Sequence, residues 1–167
     1  HEVAYGSLLL ERRRVLHARI VEGLEVRSGE RLTDEVERLA HHALRGEMWD
    51  RALLYCRQAG TRAADRSAYR EAVASFEQAL GALQHLPESR EMLEQAIDLR
   101  FDLRNVLLPL GDHGRIFDRL REAETLAQVL GNRQRLRQVS IYLTEYFRMM
   151  SDLDHAIESG QRALALA

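Results

Sequence analysis

Apolar residues recur along this chain at intervals of three and four, the spacing that gathers them on one face of an α-helix. The clearest stretch is 69–80, where Ala72, Phe76 and Ala79 stand at i, i+4 and i+7. Small, large and small side chains then alternate along a single face. The alanines let a neighbouring helix approach closely, and the aromatic ring fills the space between.

The same period predicts helices through most of the chain. From about 8 to 27 it is carried by Leu9, Leu16, Ile20 and Leu24, with His17 beside the stripe and Ser28-Gly29 as the stop. The first six residues read as the end of an earlier element. Asp34 is placed to cap a helix reaching about Arg45, with Val36, Leu39, Ala40 and Ala43 inward and Gly46 ending it. A further helix over 48–66 carries Ala52, Leu53, Cys56, Ala59, Ala63 and Ala64. Its register is open: it reads either as the second helix of one hairpin or as the first helix before 69–80, and the stronger 69–80 pattern favours the latter. Pro87 suits the first turn of a helix reaching about Leu110, with Glu88 and Glu91 near its positive end and Pro109 bending its last turn. After the turn 111–114, Ile116, Leu120, Ala123, Leu126, Ala127 and Leu130 form the next stripe, closed by Gly131-Asn132. Leu136, Val139, Leu143 and Phe147 follow, then Ala156, Ile157, Gly160, Ala163 and Leu164. The expectation is an all-α chain of about seven long helices.

Ala72, Phe76 and Ala79 resemble the second helix of a tetratricopeptide repeat (TPR), and weaker copies follow. Aligned on the first small position, Ala72, Ile116 and Ala156 are 44 and 40 residues apart, whereas a TPR has about 34. The resemblance implies a right-handed α-solenoid of antiparallel hairpins in units of about 40 residues, occupying 33–167 after an N-terminal helical segment, 1–32. Ile116 and Gly160 depart from the small-large-small rule. A second resemblance rests on His1-Glu2-Val3-Ala4-Tyr5, Ser7-Leu8-Leu9, Arg12-Arg13-Arg14 and Leu16-His17. These look like the segment after the ATPase module in large bacterial signalling proteins of the STAND type. In one group of those proteins an adenylate/guanylate cyclase domain precedes the ATPase and TPR-like helices follow it. Neither the cyclase nor the ATPase motifs occur in this sequence, so neither activity carries over. The chain starts without Met and stops within a helical pattern, so it is expected to be a piece of a longer protein, with an open apolar end around Ile157 and Leu164 available for a further hairpin or for self-association.

Composition narrows the chemistry. The net charge is −2 and all 24 basic residues are Arg, which gives no electrostatic reason to expect nucleic acid and leaves no lysine for a Schiff base or a phosphate loop. One cysteine, Cys56, excludes an internal disulfide and reads as a buried thiol. No apolar run approaches a membrane span and no signal peptide is present, so a cytoplasmic location is expected. His41 and His42 are adjacent and so point about 100° apart on a helix. Glu37 and His41 at i and i+4 offer two ligands, and a catalytic zinc needs a third. The expectation is a chain with no enzymatic activity, no cofactor and no metal.

What remains is a surface for a partner. Carried over from the TPR resemblance, the concave first-helix positions are Leu54, Arg57, Gln58 and Thr61, then Asp98, Phe101, Asp102, Asn105 and Leu108, then Gln138, Ile141, Tyr142, Glu145 and Arg148. The residues that clamp a C-terminal carboxylate in chaperone-binding TPRs are matched by Arg57 but replaced by Thr61, Asp102 and Tyr142. The expected groove is acidic at its centre, with Phe101 and Tyr142 as apolar anchors for a basic and apolar segment. The leading reading is a protein-interaction scaffold that docks a peptide or another domain of the parent chain. A small-molecule sensor regulating an attached ATPase or cyclase, and a spacer without ligand, stay open.

Overall fold

A computed structural model describes residues 2–28 and 34–167. The expected boundary at 32–33 and the stop at Gly29 lie outside the described residues. Eight helices are present among those described: α1 (Glu2–Ser28), α2 (Val36–Arg45), α3 (Trp49–Asp65), α4 (Tyr69–Leu83), α5 (Arg90–Leu107), α6 (His113–Leu130), α7 (Arg133–Met149) and α8 (Leu153–Ala165). No strand occurs among the described residues, and none of their helices is long and apolar enough to cross a membrane. The chain divides after Pro87 into two compact units. In the first, α1 packs on α2, α2 on α3 and α3 on α4; in the second, α5 packs on α6, α6 on α7 and α7 on α8. Every helix therefore buries its stripe chiefly against its neighbour in sequence.

One turn geometry recurs. Glu47, Ser67, Gly111, Gly131 and Ser151 all have left-handed φ, between 53° and 68°, so that within each unit these turns fall 20 residues apart. The residue after each sends its N–H back to the carbonyl five residues earlier: Met48 to Ala43, Ala68 to Ala63, Asp112 to Leu107, Asn132 to Ala127 and Asp152 to Phe147. This bond satisfies a carbonyl that the helix end leaves open and folds the next helix back. In the last three turns the same residue also caps the next helix, Asp112, Asn132 and Asp152 accepting from the N–H of Arg115, Arg135 and His155. Met48 and Ala68 have no side chain that can do so. Ala68→Ser places a hydroxyl at the cap with Glu71 three residues on, the capping-box arrangement. It is expected to raise the unfolding free energy of the first unit by about 1 kcal/mol in urea titration.

The α4 face is built as the spacing predicts: Phe76 is 2 % exposed and Ala72 and Ala79 are fully buried. Its ring lies on Gly60 of α3, where an added Cβ would stand 2.6 Å from Cδ1 and Cε1 of Phe76. Gly46 allows a second close approach, since a Cβ there would meet the backbone nitrogen of Ala18 in α1 at 2.9 Å.

Several expectations need correction. Gly6 does not interrupt α1, which runs as one helix through it. Leu9 and Leu16 are 51 % and 58 % exposed, and α1 instead buries Val21 and Leu24. Among the described side chains its hydrogen bonds to the rest of the unit begin at Arg14, which reaches Glu47, and His17, which meets His42; its apolar contact lies further on, at Val21 and Leu24. Asp34 does not cap α2; it lies in a short 3-10 turn, and Glu35 stands at the N-cap without a capping bond. The helix expected to begin at Pro87 begins after Ser89, whose hydroxyl accepts from the N–H of Met92. It ends before Pro109, leaving Leu110 in the turn and 39 % exposed.

Cys56 is buried, and burial pushes its thiol up to about 12. The thiolate is the reactive form. Native protein near neutral pH is therefore expected to resist alkylation by iodoacetamide, with mass-detected labelling appearing only as urea unfolds the first unit.

Candidate functional site

The first-helix positions expected to face a partner fall on α3, α5 and α7. In the first unit, Leu54, Arg57, Gln58 and Thr61 of α3 line an open hollow of about 550 Å³ together with Val36 of α2. Leu54 is the apolar group it offers to solvent, 50 % exposed. The Thr61 hydroxyl donates to the carbonyl of Arg57 at 3.1 Å, so its hydrogen is spent on its own helix.

In the second unit, α5 and α7 are bridged by three successive side-chain contacts. Arg135 holds the Asp98 carboxylate with two hydrogen bonds. Phe101 and Tyr142 meet edge to face, 5.1 Å between ring centres. Arg104 pairs with Glu145 and lays its guanidinium carbon 4.2 Å from the centre of the Tyr142 ring; a second nitrogen donates to Asn105 at 2.9 Å. These rungs end in a hollow of about 380 Å³ lined by Arg104, Leu108, Glu145, Arg148 and Met149. Thus Leu108, Glu145 and Arg148 are brought to one cavity, and Asp98, Phe101, Asn105 and Tyr142 to the ladder beside it.

This geometry changes the expected electrostatics. The centre is not a free acidic patch, because Arg135 and Arg104 neutralise Asp98 and Glu145, and Asp102 is half-buried with interactions of its own. Phe101 and Tyr142 are half-buried against each other rather than standing as separate anchors. Arg104, Arg135 and Met149 are the residues that sequence reasoning missed. Met149 is 48 % exposed, and Arg148 beside it has no partner among the described residues.

Two other features bear on chemistry. Glu37 lies within 3.6 Å of Arg62 and 3.9 Å of Arg66, so its carboxylate is drawn to arginines rather than toward His41. Among the described residues no group of three or more His, Cys, Asp and Glu side chains is arranged to hold a metal ion. At the far end of the chain, Leu153, Ile157 and Leu164 of α8 are 66 %, 60 % and 78 % exposed, an outward apolar face where the sequence placed one. No protein-family model and no curated protein matches the chain.

Proposed function

We propose that the chain is a non-catalytic protein-interaction scaffold, the TPR-like helical-repeat region of a larger bacterial signalling or regulatory protein, and that the exposed faces of α3, α5 and α7 dock a protein or peptide segment. The observation that carries this reading is the recurrence of one arrangement: in each unit, first-helix positions line a hollow that pairs an apolar side chain with arginine. Leu54 and Arg57 do so in the first unit, Leu108, Met149 and Arg148 in the second. Turns 20 residues apart within each unit support hairpin units of about 40 residues and hence the TPR-like solenoid. Each hollow opens to solvent, which suits an extended segment lying in it better than an enclosed metabolite. With the central carboxylates neutralised, the segment favoured is one that sets an apolar side chain against Leu108 and Met149 and an acceptor group, carboxylate or backbone carbonyl, against Arg148.

The test is selection from a displayed library of random peptides against the folded chain, followed by substitution. Met149→Ser with Arg148→Ala is expected to weaken a selected peptide by about tenfold or more, with the melting temperature unchanged because both side chains are exposed. Gln128→Ala with Val129→Ser on α6 is expected to leave binding intact. The reverse pattern places the docking face elsewhere. A melting-temperature rise with a saturating metabolite and no selected peptide would favour the sensor reading instead.

A further inference from the structure

Residues His17 of α1 and His42 of α2, 25 positions apart in sequence, bring their Nδ1 atoms to 2.7 Å. A third imidazole, His41, stands edge-on to both, with ring centres 6.2 Å from His17 and 5.2 Å from His42. Two nitrogens at that distance share one hydrogen: one ring donates from Nδ1 and the other accepts through its lone pair. The contact survives with both rings neutral, and also with a single added proton. It cannot survive when both rings are imidazolium, because both Nδ1 atoms then carry hydrogen and two positive charges face each other.

The surroundings offer no relief. From α1, Arg13 and Arg14 lie beside His17, and from α2, Arg38, His41 and Arg45 lie around the pair. Two carboxylates line the same hollow as His17, Glu11 of α1 and Glu47 of the following turn, and both are paired with Arg14, at 2.7 and 3.0 Å. Desolvation first, then the neighbouring positive groups, hold His17 and His42 below the ordinary imidazole value of 6.5. The two helices pack closely beside the pair: a Cβ on Gly46 would stand 2.9 Å from the backbone nitrogen of Ala18. The C-terminal half of α1 is anchored separately: Val21 and Leu24 are buried, and Glu25 accepts from the Tyr55 hydroxyl at 2.6 Å and meets Arg51 at 3.0 Å. Before this anchored part, Leu9, Leu10 and Leu16 are exposed, and the helix is held to α2 and the following turn at His17 and Arg14.

We infer that the His17–His42 contact is an acid-sensitive latch, holding residues 9–20 of α1 on α2 near neutral pH and releasing them when the second proton binds. The sign follows from linkage. A histidine whose value is lowered in the docked state stabilises that state above its ordinary value, and the stabilisation is lost as pH falls through and below about 6.5. This inference does not depend on the docking function proposed above.

Hydrogen exchange on the whole chain, corrected for the intrinsic pH dependence, tests it. Protection of amides 9–20 is expected to fall by roughly tenfold between about pH 7.5 and about pH 5, while 113–165 keeps its protection. In the double variant His17→Gln, His42→Gln, which keeps amide donors and acceptors but does not titrate, the dependence should vanish. Protection of 9–20 that is constant in the wild-type chain, or equally pH-dependent in the variant, overturns the latch. Should the variant fail to fold, nitrogen-15 NMR of the wild-type imidazoles decides. A coupled two-step titration below the ordinary value supports the latch, and two independent ordinary titrations refute it.

Discussion

Phe76→Ala is expected to lower the unfolding free energy of the first unit by roughly 3–5 kcal/mol, the range for truncating a buried aromatic side chain. The ring is 2 % exposed, flanked by the fully buried Ala72 and Ala79 and seated on the Cβ-less face of Gly60. None of these small neighbours has side chain to spare for the space left behind, so the cavity stays open. The readout is built in: Trp49, the only tryptophan, stacks on His85 with ring centres 3.8 Å apart, within the same unit as Phe76. Urea unfolding followed by tryptophan fluorescence therefore reports on that unit. A loss below about 1 kcal/mol would mean that the ring is not the packing centre of the α3–α4 pair.

Gly60→Ala is expected to change sign with its partner. In the wild-type chain the new methyl would lie 2.6 Å from the Phe76 ring, which is too buried to swing aside. The overpacking cost, roughly 1–3 kcal/mol, outweighs the helix-propensity gain of about 1 kcal/mol for Ala over Gly. In the Phe76→Ala background the ring is gone and the methyl partly fills its cavity, so only gains remain and Gly60→Ala should stabilise. The four proteins form a double-mutant cycle, again read by Trp49 fluorescence. A coupling near zero would show that α3 and α4 do not meet at this point.

Local pattern carried the fold a long way. Ala72, Phe76 and Ala79, and the α2 set of Val36, Leu39, Ala40 and Ala43, are all buried, and so are Ile116, Leu120, Ala123 and Ala127 of the α6 stripe, whereas its Leu126 and Leu130 are half-buried; each set is a statement about one helix face. The turn at 111–114 was also legible, and the left-handed Gly111 in it has its counterpart in Ser151. What failed was anything set by contacts between distant segments. The leucines of α1 have a helical period, but only contact with α2 decides which part of that stripe is covered. Asp98 and Glu145 read as an acidic surface because their partners, Arg135 and Arg104, lie 37 and 41 residues away, and sequence alone does not set that register. Glu124 has a side chain only 9 % exposed, held by Arg121 and by Arg162 of α8, the latter at 3.0 Å and 38 residues away. His41 and His42 were weighed only along their own helix, whereas the partner of His42 sits on α1.

The central claim is that first-helix positions, on α3 in the first unit and on α5 and α7 in the second, each present a docking surface. The direct measurement is nuclear magnetic resonance mapping of a library-selected peptide on isotope-labelled protein. The account predicts shift changes concentrated at Leu54, Arg57 and Thr61, or at Asn105, Leu108, Glu145, Arg148 and Met149, with α4, α6 and α8 little affected. Changes concentrated on the exposed apolar residues of α8, Leu153, Ile157 and Leu164, with the first helices silent, would contradict it.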